Sequence, residues 1–238
     1  MRTKQYHITC TYNKRIATDV HEIRFSKPKS LTFTPGQFLL FQIPDLLNPS
    51  DIEPRAMSIA SAPYEDKLIC AAKLKSGGRI STWITDMLRV GTEVDIQGPF
   101  GIFGLNKKTS KDYLLIATST GVGPFRAQLL SILPKEKVRR IDLVFGARSE
   151  EDMFWMDQFE DLTKQYKNFF LHFALSNPSP SWKGPRGRVQ TLVPQIIRDV
   201  ENKSVYICGN PEMTKEVKNL CLNEWKVPKE DIHMEGYI

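Results

Sequence analysis

The 238-residue chain is 41% hydrophobic and 25% charged, with a net charge of +6, a composition that fits a globular protein with one large core or two small ones. No apolar run reaches the roughly 20 residues of a membrane helix, and the opening MRTKQYHITC lacks the apolar stretch of a secretory signal, so a cytoplasmic protein without a membrane span is expected. Cys10, Cys70, Cys208, Cys221 and the four histidines are scattered, without metal-ligand spacing, and neither a GxSxG elbow nor an HExxH helix occurs, so any redox chemistry has to come from an organic cofactor.

The first hundred residues read as short strands between turns. Tyr6, Ile8, Cys10 and Tyr12 alternate at period two, PGQFLLFQI follows a Pro-Gly turn, and KLICAAKL and TEVDIQG are further short apolar segments, a spacing that predicts an antiparallel barrel or sandwich. One helix interrupts it in RISTWITDMLRVG, with Ser81 or Thr82 as the expected cap and Gly91 as the stop. The polar stretch GLNKKTSKD suits a linker. Beyond it the apolar runs YLLIAT, IDLVFGA, FFLHFAL and SVYICG lack alternation and are separated by helical segments, the pattern of a parallel sheet covered on both faces.

Several loops carry chemistry. In Thr120-Gly121-Val122-Gly123-Pro124, between the first strand and first helix of the α/β half, two glycines permit a sharp turn and close approach of a ligand, and Pro124 suits the first helical turn. The helix start then offers N–H groups and a positive dipole end to a phosphate. Arg148, after the second strand, either pairs with a 2′-phosphate or is a solvated loop residue. Cys208-Gly209-Asn210-Pro211 and Met213 follow the fourth strand, at the carboxyl end of the sheet, where proximity to a ligand is expected. In the first half, Arg55-Ala56-Met57-Ser58 combines a phosphate-binding cation with a hydroxyl. Gly77-Gly78-Arg79-Ile80-Ser81-Thr82 makes a second phosphate-sized nest of N–H groups.

Together these residues resemble the ferredoxin–NADP reductase superfamily, over nearly the whole chain and in the right order. Phe33-Thr34-Pro35-Gly36-Gln37-Phe38 looks like its PGQ turn, Arg55 to Ser58 like its RxYS flavin motif, and Gly77 to Thr82 like its flavin-pyrophosphate loop. Gly98-Pro99-Phe100-Gly101 looks like the barrel exit, Gly121 to Pro124 like the pyridine-nucleotide loop, and Cys208 to Met213 like the CGxPxM segment. The resemblance implies a β + α/β architecture: an N-terminal antiparallel six-stranded flavin-binding barrel over residues 1–107, then a parallel-sheet NAD(P)-binding domain over residues 108–238. It also implies FAD and NAD(P)H as cofactors.

By the same resemblance, Arg55 would hold the flavin's phosphate, Ser58 would lie near its reactive nitrogen, and Gly78, Ser81 and Thr82 would bind its pyrophosphate. Ala72, Lys73 and Leu74 would touch it by backbone. Thr120 and Cys208 would line the nicotinamide pocket, Glu235 would relay protons and Tyr237 would cap the flavin ring. Met57 stands where the motif usually has tyrosine, leaving a thioether to pack on the flavin, and Ser176-Asn177 replaces the Ser-Arg of many NADPH-using members, for which Arg186 and Arg188 are the possible substitutes.

The activity implied is hydride transfer from NAD(P)H to FAD, then passage of electrons to a separate carrier such as ferredoxin or flavodoxin. The alternatives are reduction of a small acceptor, such as a quinone or ferric complex, and an accessory role in a larger complex. Residues 1–107 hold 14 basic and 10 acidic residues, and residues 108–238 hold 19 and 17, with no basic run interleaved with aromatics. Nucleic acid is therefore not an expected partner, whereas a small acidic carrier protein is.

Overall fold

The computed structural model describes residues 4–236, which divide into two units. The first comprises residues 4–105 together with Gly123–Ser131, and the second residues 106–122 and 132–236. The sequence reading put the division after residue 107 and gave all of the helix beginning near Pro124 to the second half. In the structure residues 123–131 of that helix group with the first unit, where Phe125 packs on Phe103 with ring centroids 5.7 Å apart and Gln128 donates from Nε2 to the Phe103 carbonyl at 2.6 Å.

Six antiparallel strands make the first unit: β1 (Gln5–Ala17), β2 (Val20–Ser26), β3 (Phe38–Pro44), β4 (Ile52–Ser58), β5 (Lys67–Lys73) and β6 (Glu93–Phe100), in the order β4-β3-β6-β1-β2-β5. Alternation sends Ile8, Ile23, Phe25, Phe41, Ile43 and Ile96 into one buried cluster. The sequence reading did not single out β2, where the charged Glu22 sits in a buried position among the apolar residues and blurs the period. Its carboxylate is neutralised by Arg24.

The interrupting helix is shorter than expected. α1 (Arg79–Thr82) passes directly into a π-helical turn, Trp83–Met87, that buries Trp83 and Ile84. Neither Ser81 nor Thr82 caps it: Gly78 holds the N-cap position, and Ser81, one turn further in, accepts a hydrogen bond on Oγ from the Lys75 N–H at 2.7 Å.

In the second unit β7 (Tyr113–Thr118), β8 (Ile141–Ala147), β9 (Phe169–Leu175), β10 (Ser204–Gly209) and β11 (Ile232–Gly236) form a parallel sheet in the order β11-β10-β7-β8-β9. Four helices connect them: α2 (Val122–Ile132), whose residues 123–131 were described above, α3 (Met156–Gln165), α4 (Val189–Ile196) and α5 (Pro211–Asn223). β11 was read from sequence only as a terminal segment; it adds a fifth strand beside β10. The polar linker is pinned at Asn106, whose N–H donates to the Tyr206 hydroxyl at 2.8 Å and whose carbonyl accepts from the Tyr113 hydroxyl at 2.9 Å. Among the described residues no helix is long and apolar enough to cross a membrane.

At the start of β8 a carboxylate is buried with two partners. Arg140 donates to Asp142 from Nε at 2.7 Å and from Nη2 at 2.9 Å, and His172 Nε2 lies 2.8 Å from Asp142 Oδ1. Burial pushes the Asp142 carboxyl up, but the hydrogen bonds from His172 and Arg140 outweigh it and hold the carboxyl below the usual carboxylate range. A depressed folded pKa means stability that is present above the unfolded value of about 3.9 and is lost as pH falls through the folded one. Asp142→Asn should therefore lower Tm at pH 7, and the gap to the wild type should shrink below pH 4; a gap constant from pH 7 to pH 3 would contradict this account.

Candidate functional site

In the first unit the sheet order leaves β4 and β5 as its two edges. Just past β4 the Ala60 N–H donates to the Ile69 carbonyl at 2.8 Å, joining the two edges at one point. Among the described residues no strand ladder joins β4 to β5, so Arg55–Ser58 and the Ala72–Leu74 end of β5 present edge backbone rather than a completed sheet. A flat heterocycle with its own donors and acceptors fits such an edge.

Along β4 the alternation separates the motif residues. Met57 is 5% exposed and belongs to the barrel's apolar cluster, so the thioether read from sequence as a packing surface for a ring is committed mainly to the core. Ala56 is exposed and Ser58 half-buried. Ala72 also points into the core, while Lys73 is exposed. The Leu74 N–H donates to the Asp19 carbonyl at 2.6 Å, so that group is already engaged.

A cationic cluster stands beside this edge. Arg55 pairs with Glu53, and Arg79 Nη1 lies 3.1 Å from Asp51 Oδ2 and 3.6 Å from Glu53 Oε2, with Nη2 donating to the Asp51 carbonyl. Arg79 Nε is buried and has no hydrogen-bond partner. An orphaned guanidinium N–H at this position is the donor that an anion would complete. The adjoining turn has Gly77 at φ +71°, and a Cβ on Gly78 would press on the Lys75 carbonyl at 3.1 Å and Ser81 Oγ at 3.3 Å. Ile80 and Thr82 follow, half-buried. These residues fit a diphosphate-bearing flavin; Asp51 and Glu53, the acids that occupy the arginines, escaped the sequence reading because nothing in their spacing marks them.

In the second unit the connections run from β7 outward to β8 and β9, then return to β10 and β11 on the other side, so the order reverses between β7 and β10. Ligands of open parallel sheets bind in the crevice beyond the carboxyl ends at that reversal. Found there are Thr120 and Gly121, just after β7, and Gly209-Asn210-Pro211 at the end of β10, all singled out from sequence, together with Thr118, the last residue of β7. The backbones converge tightly. A Cβ on Gly121 would lie 2.3 Å from the Cys208 carbonyl oxygen, and one on Gly209, at φ +142°, would lie 2.3 Å from Thr118 Oγ1. Thus Gly121 is glycine because β10 passes close to it, a packing demand the sequence reading had assigned to a ligand. A Cβ on Gly123 would meet only Ala60 Cβ, at an ordinary 3.6 Å.

Asn210 caps α5, its Oδ1 accepting from the Glu212 N–H at 2.8 Å and the Met213 N–H at 3.3 Å, while its own N–H donates to Thr118 Oγ1 at 3.2 Å. Pro211 takes the first helical position, and Met213, 5% exposed, packs into the core under the sheet. Thr120 and Cys208 are buried, and Cys208 lies opposite Glu235 in the register of β10 and β11. Tyr237 lies outside the described residues. Arg148 is exposed, and among the described residues its guanidinium has no ion-pair partner, whereas Arg186 donates to the carbonyls of Ser179 and Trp182, both at 2.9 Å, and holds its own loop together.

Known proteins share this arrangement. Residues 7–104 match the family described as oxidoreductase FAD-binding domain, and residues 115–219 the family described as oxidoreductase NAD-binding domain. The ferredoxin–NADP reductase B of Sorangium cellulosum is 32% identical over 226 residues, covering 92% of this chain and 91% of that protein. The phenol hydroxylase P5 protein of Acinetobacter pittii is 27% identical, and the alignment covers 99% of this chain but only 66% of that longer protein. A ferredoxin–NADP+ reductase from Neisseria gonorrhoeae, solved with bound FAD and NADP, superposes with a TM-score of 0.83 at 22% identity over the full length of both chains. The chain belongs to the ferredoxin–NADP reductase family of oxidoreductases, with FAD- and NAD(P)-binding domains.

Proposed function

We propose that this protein takes hydride from NADH or NADPH and delivers electrons to a separate carrier protein of the ferredoxin or flavodoxin kind. The observation that carries this reading is the open β4–β5 edge flanked by Arg55 and by the unpartnered Nε of Arg79. FAD, when bound, would supply the two-electron redox chemistry between the nicotinamide and the acceptor.

The chain's own residues bind and orient. Arg79, Arg55 and the N–H groups of the Gly78–Thr82 turn hold the flavin's diphosphate, with Ile80 packing beside them. The edges at Ala56, Ser58, Ala72, Lys73 and Leu74 would hold the flavin ring, with Met57 supporting that strand from the core and Ser58 offering it a hydroxyl. In the second unit the crevice between Thr120-Gly121-Val122 and Cys208-Gly209-Asn210-Pro211 seats the nucleotide, with Gly123 and Pro124 continuing the same turn. Met213 holds α5 against the sheet behind it. The register of Cys208 and Glu235 puts a thiol and a carboxylate on neighbouring strands, where they shape the nicotinamide's surroundings and offer a proton acceptor. The net charge of +6 supports an acidic carrier as partner, since opposite net charge speeds encounter. A cytoplasmic setting supplies NAD(P)H and keeps the four buried, free cysteines reduced.

Purified protein should be yellow, and its flavin absorbance should bleach under NADH or NADPH without air; a colourless protein that takes up no added FAD would overturn the reading. Electron delivery to small acceptors alone, with none to a ferredoxin or flavodoxin, would redirect it toward quinones or ferric complexes. Arg79→Ala should weaken FAD retention about 10- to 100-fold, the usual worth of a hydrogen bond to a charged group, as read by flavin release on dilution. Arg148→Ala should raise KM for NADPH about tenfold and leave NADH unchanged. An equal change for both nucleotides would remove Arg148 from the 2′-phosphate role.

A further inference from the structure

One ion pair in the first unit, its arginine buried and its carboxylate half-buried, has no part in the cofactor sites described so far. Arg126, on α2, is 7% exposed. Its Nη1 donates to Glu65 Oε2 and its Nη2 to Glu65 Oε1, both at 2.9 Å, in the two-pronged geometry that only a guanidinium and a carboxylate make. Nη1 also donates to the Ala60 carbonyl at 2.8 Å. Glu65 is itself fixed, since its Oε2 accepts from the Ala62 N–H at 2.6 Å and its N–H donates to the Ala62 carbonyl at 3.0 Å. Lys27 Nζ closes the turn by donating to the carbonyls of Pro63 and Glu65. The guanidinium is buried and the carboxylate half-buried, so desolvation offsets much of their attraction, and a geometry satisfied this fully is a device for placing a segment rather than for adding stability.

The segments it places are informative. Ala60 lies two residues beyond Ser58, the last residue of the strand that carries the flavin motif, and Arg126 lies two residues beyond Pro124 of the nucleotide turn. Gly123 approaches the same Ala60, where a Cβ would sit 3.6 Å from the Ala60 side chain. All of these residues belong to one unit. We propose that Arg126 and Glu65 are a positioning pair for hydride transfer, holding the Gly123-Pro124 turn at a fixed offset from the segment that carries Ser58. The inference rests on the function proposed above. Neither residue touches the reacting atoms; their effect is on alignment, where small displacements change hydride-transfer rates steeply.

The test uses the full-length, FAD-loaded protein with Arg126→Lys, which keeps the charge and loses the fork, and Glu65→Gln, which keeps the shape and loses the charge. Ile43→Val, which trims the barrel core elsewhere, serves as a stability control. Both pair variants should keep FAD content and nucleotide Kd within about threefold of wild type, while flavin reduction at saturating nucleotide slows about tenfold or more. The flavin absorbance change on adding oxidised nucleotide should shrink, and the amides of residues 122–127 other than Pro124 should exchange with solvent faster than in wild type. Wild-type reduction rates in both variants, or a rate loss no greater than in an Ile43→Val protein of matched Tm, would overturn the proposal. If Arg126→Lys does not fold, Glu65→Gln carries the same comparison. If the wild type is not reduced by either nucleotide, the proposed function fails, and the pair is then judged by exchange alone: unchanged exchange at 122–127 in Glu65→Gln would overturn it as well.

Discussion

The barrel's two edge strands set the terms for everything else in the first unit. β4 and β5 are joined just past β4, at Ala60 and Ile69, and among the described residues their outer backbone groups lie outside any ladder. Sheet proteins normally cover or pair such edges, because unsatisfied N–H and C=O groups are costly when buried and sticky when exposed. Here the edge is flanked by Arg55 and Arg79 and followed by a glycine turn, so an occupant is expected to bring hydrogen-bonding groups for the backbone and negative charge for the guanidiniums. A flavin dinucleotide has both. Asp51 and Glu53 meet the arginines' charge, and Arg79 Nε is the group left over.

In the second unit a different constraint produces a comparable result. The reversal of strand order between β7 and β10 opens a crevice, and glycines at 121 and 209 let the two loop backbones close to distances that no side chain would permit. The crevice is therefore narrow and built of backbone, with Thr118 bridging it by accepting the Asn210 N–H. In the function proposed above, such a site would recognise the shape and charge of a dinucleotide more than the identity of any side chain, and the choice between NADH and NADPH would fall to peripheral residues such as Arg148.

Much of this was legible in the sequence, for reasons that differ by element. Continuous apolar runs marked β7 to β10, and alternation marked β1, because burial on two faces or one writes itself directly into the residue period. β2 was obscured by the buried Glu22 within its pattern. The cap of α1 was misplaced because serine at a helix start is usually a cap, whereas Ser81 serves the Lys75 N–H instead. The two glycine-rich loops were marked by their glycines, yet the packing reason for Gly121 was not, since its neighbour Cys208 is remote in sequence. Met57 and Met213 were read with their motifs as ligand contacts, and only the fold reveals that both face a core. The Arg126–Glu65 pair, 61 residues apart, left no signal in sequence. Its role depends on residues 123–131 packing with the barrel, which periodicity does not reveal.

The central claim is that the open β4–β5 edge and the glycine turn beside it are a flavin seat. Amide hydrogen exchange of the protein stripped of FAD and then reloaded tests this most directly. The account predicts that protection on reloading concentrates at residues 55–58, 72–74 and 77–82, with little change along β1 and β6. Protection confined to other segments, or none with FAD bound, would contradict it.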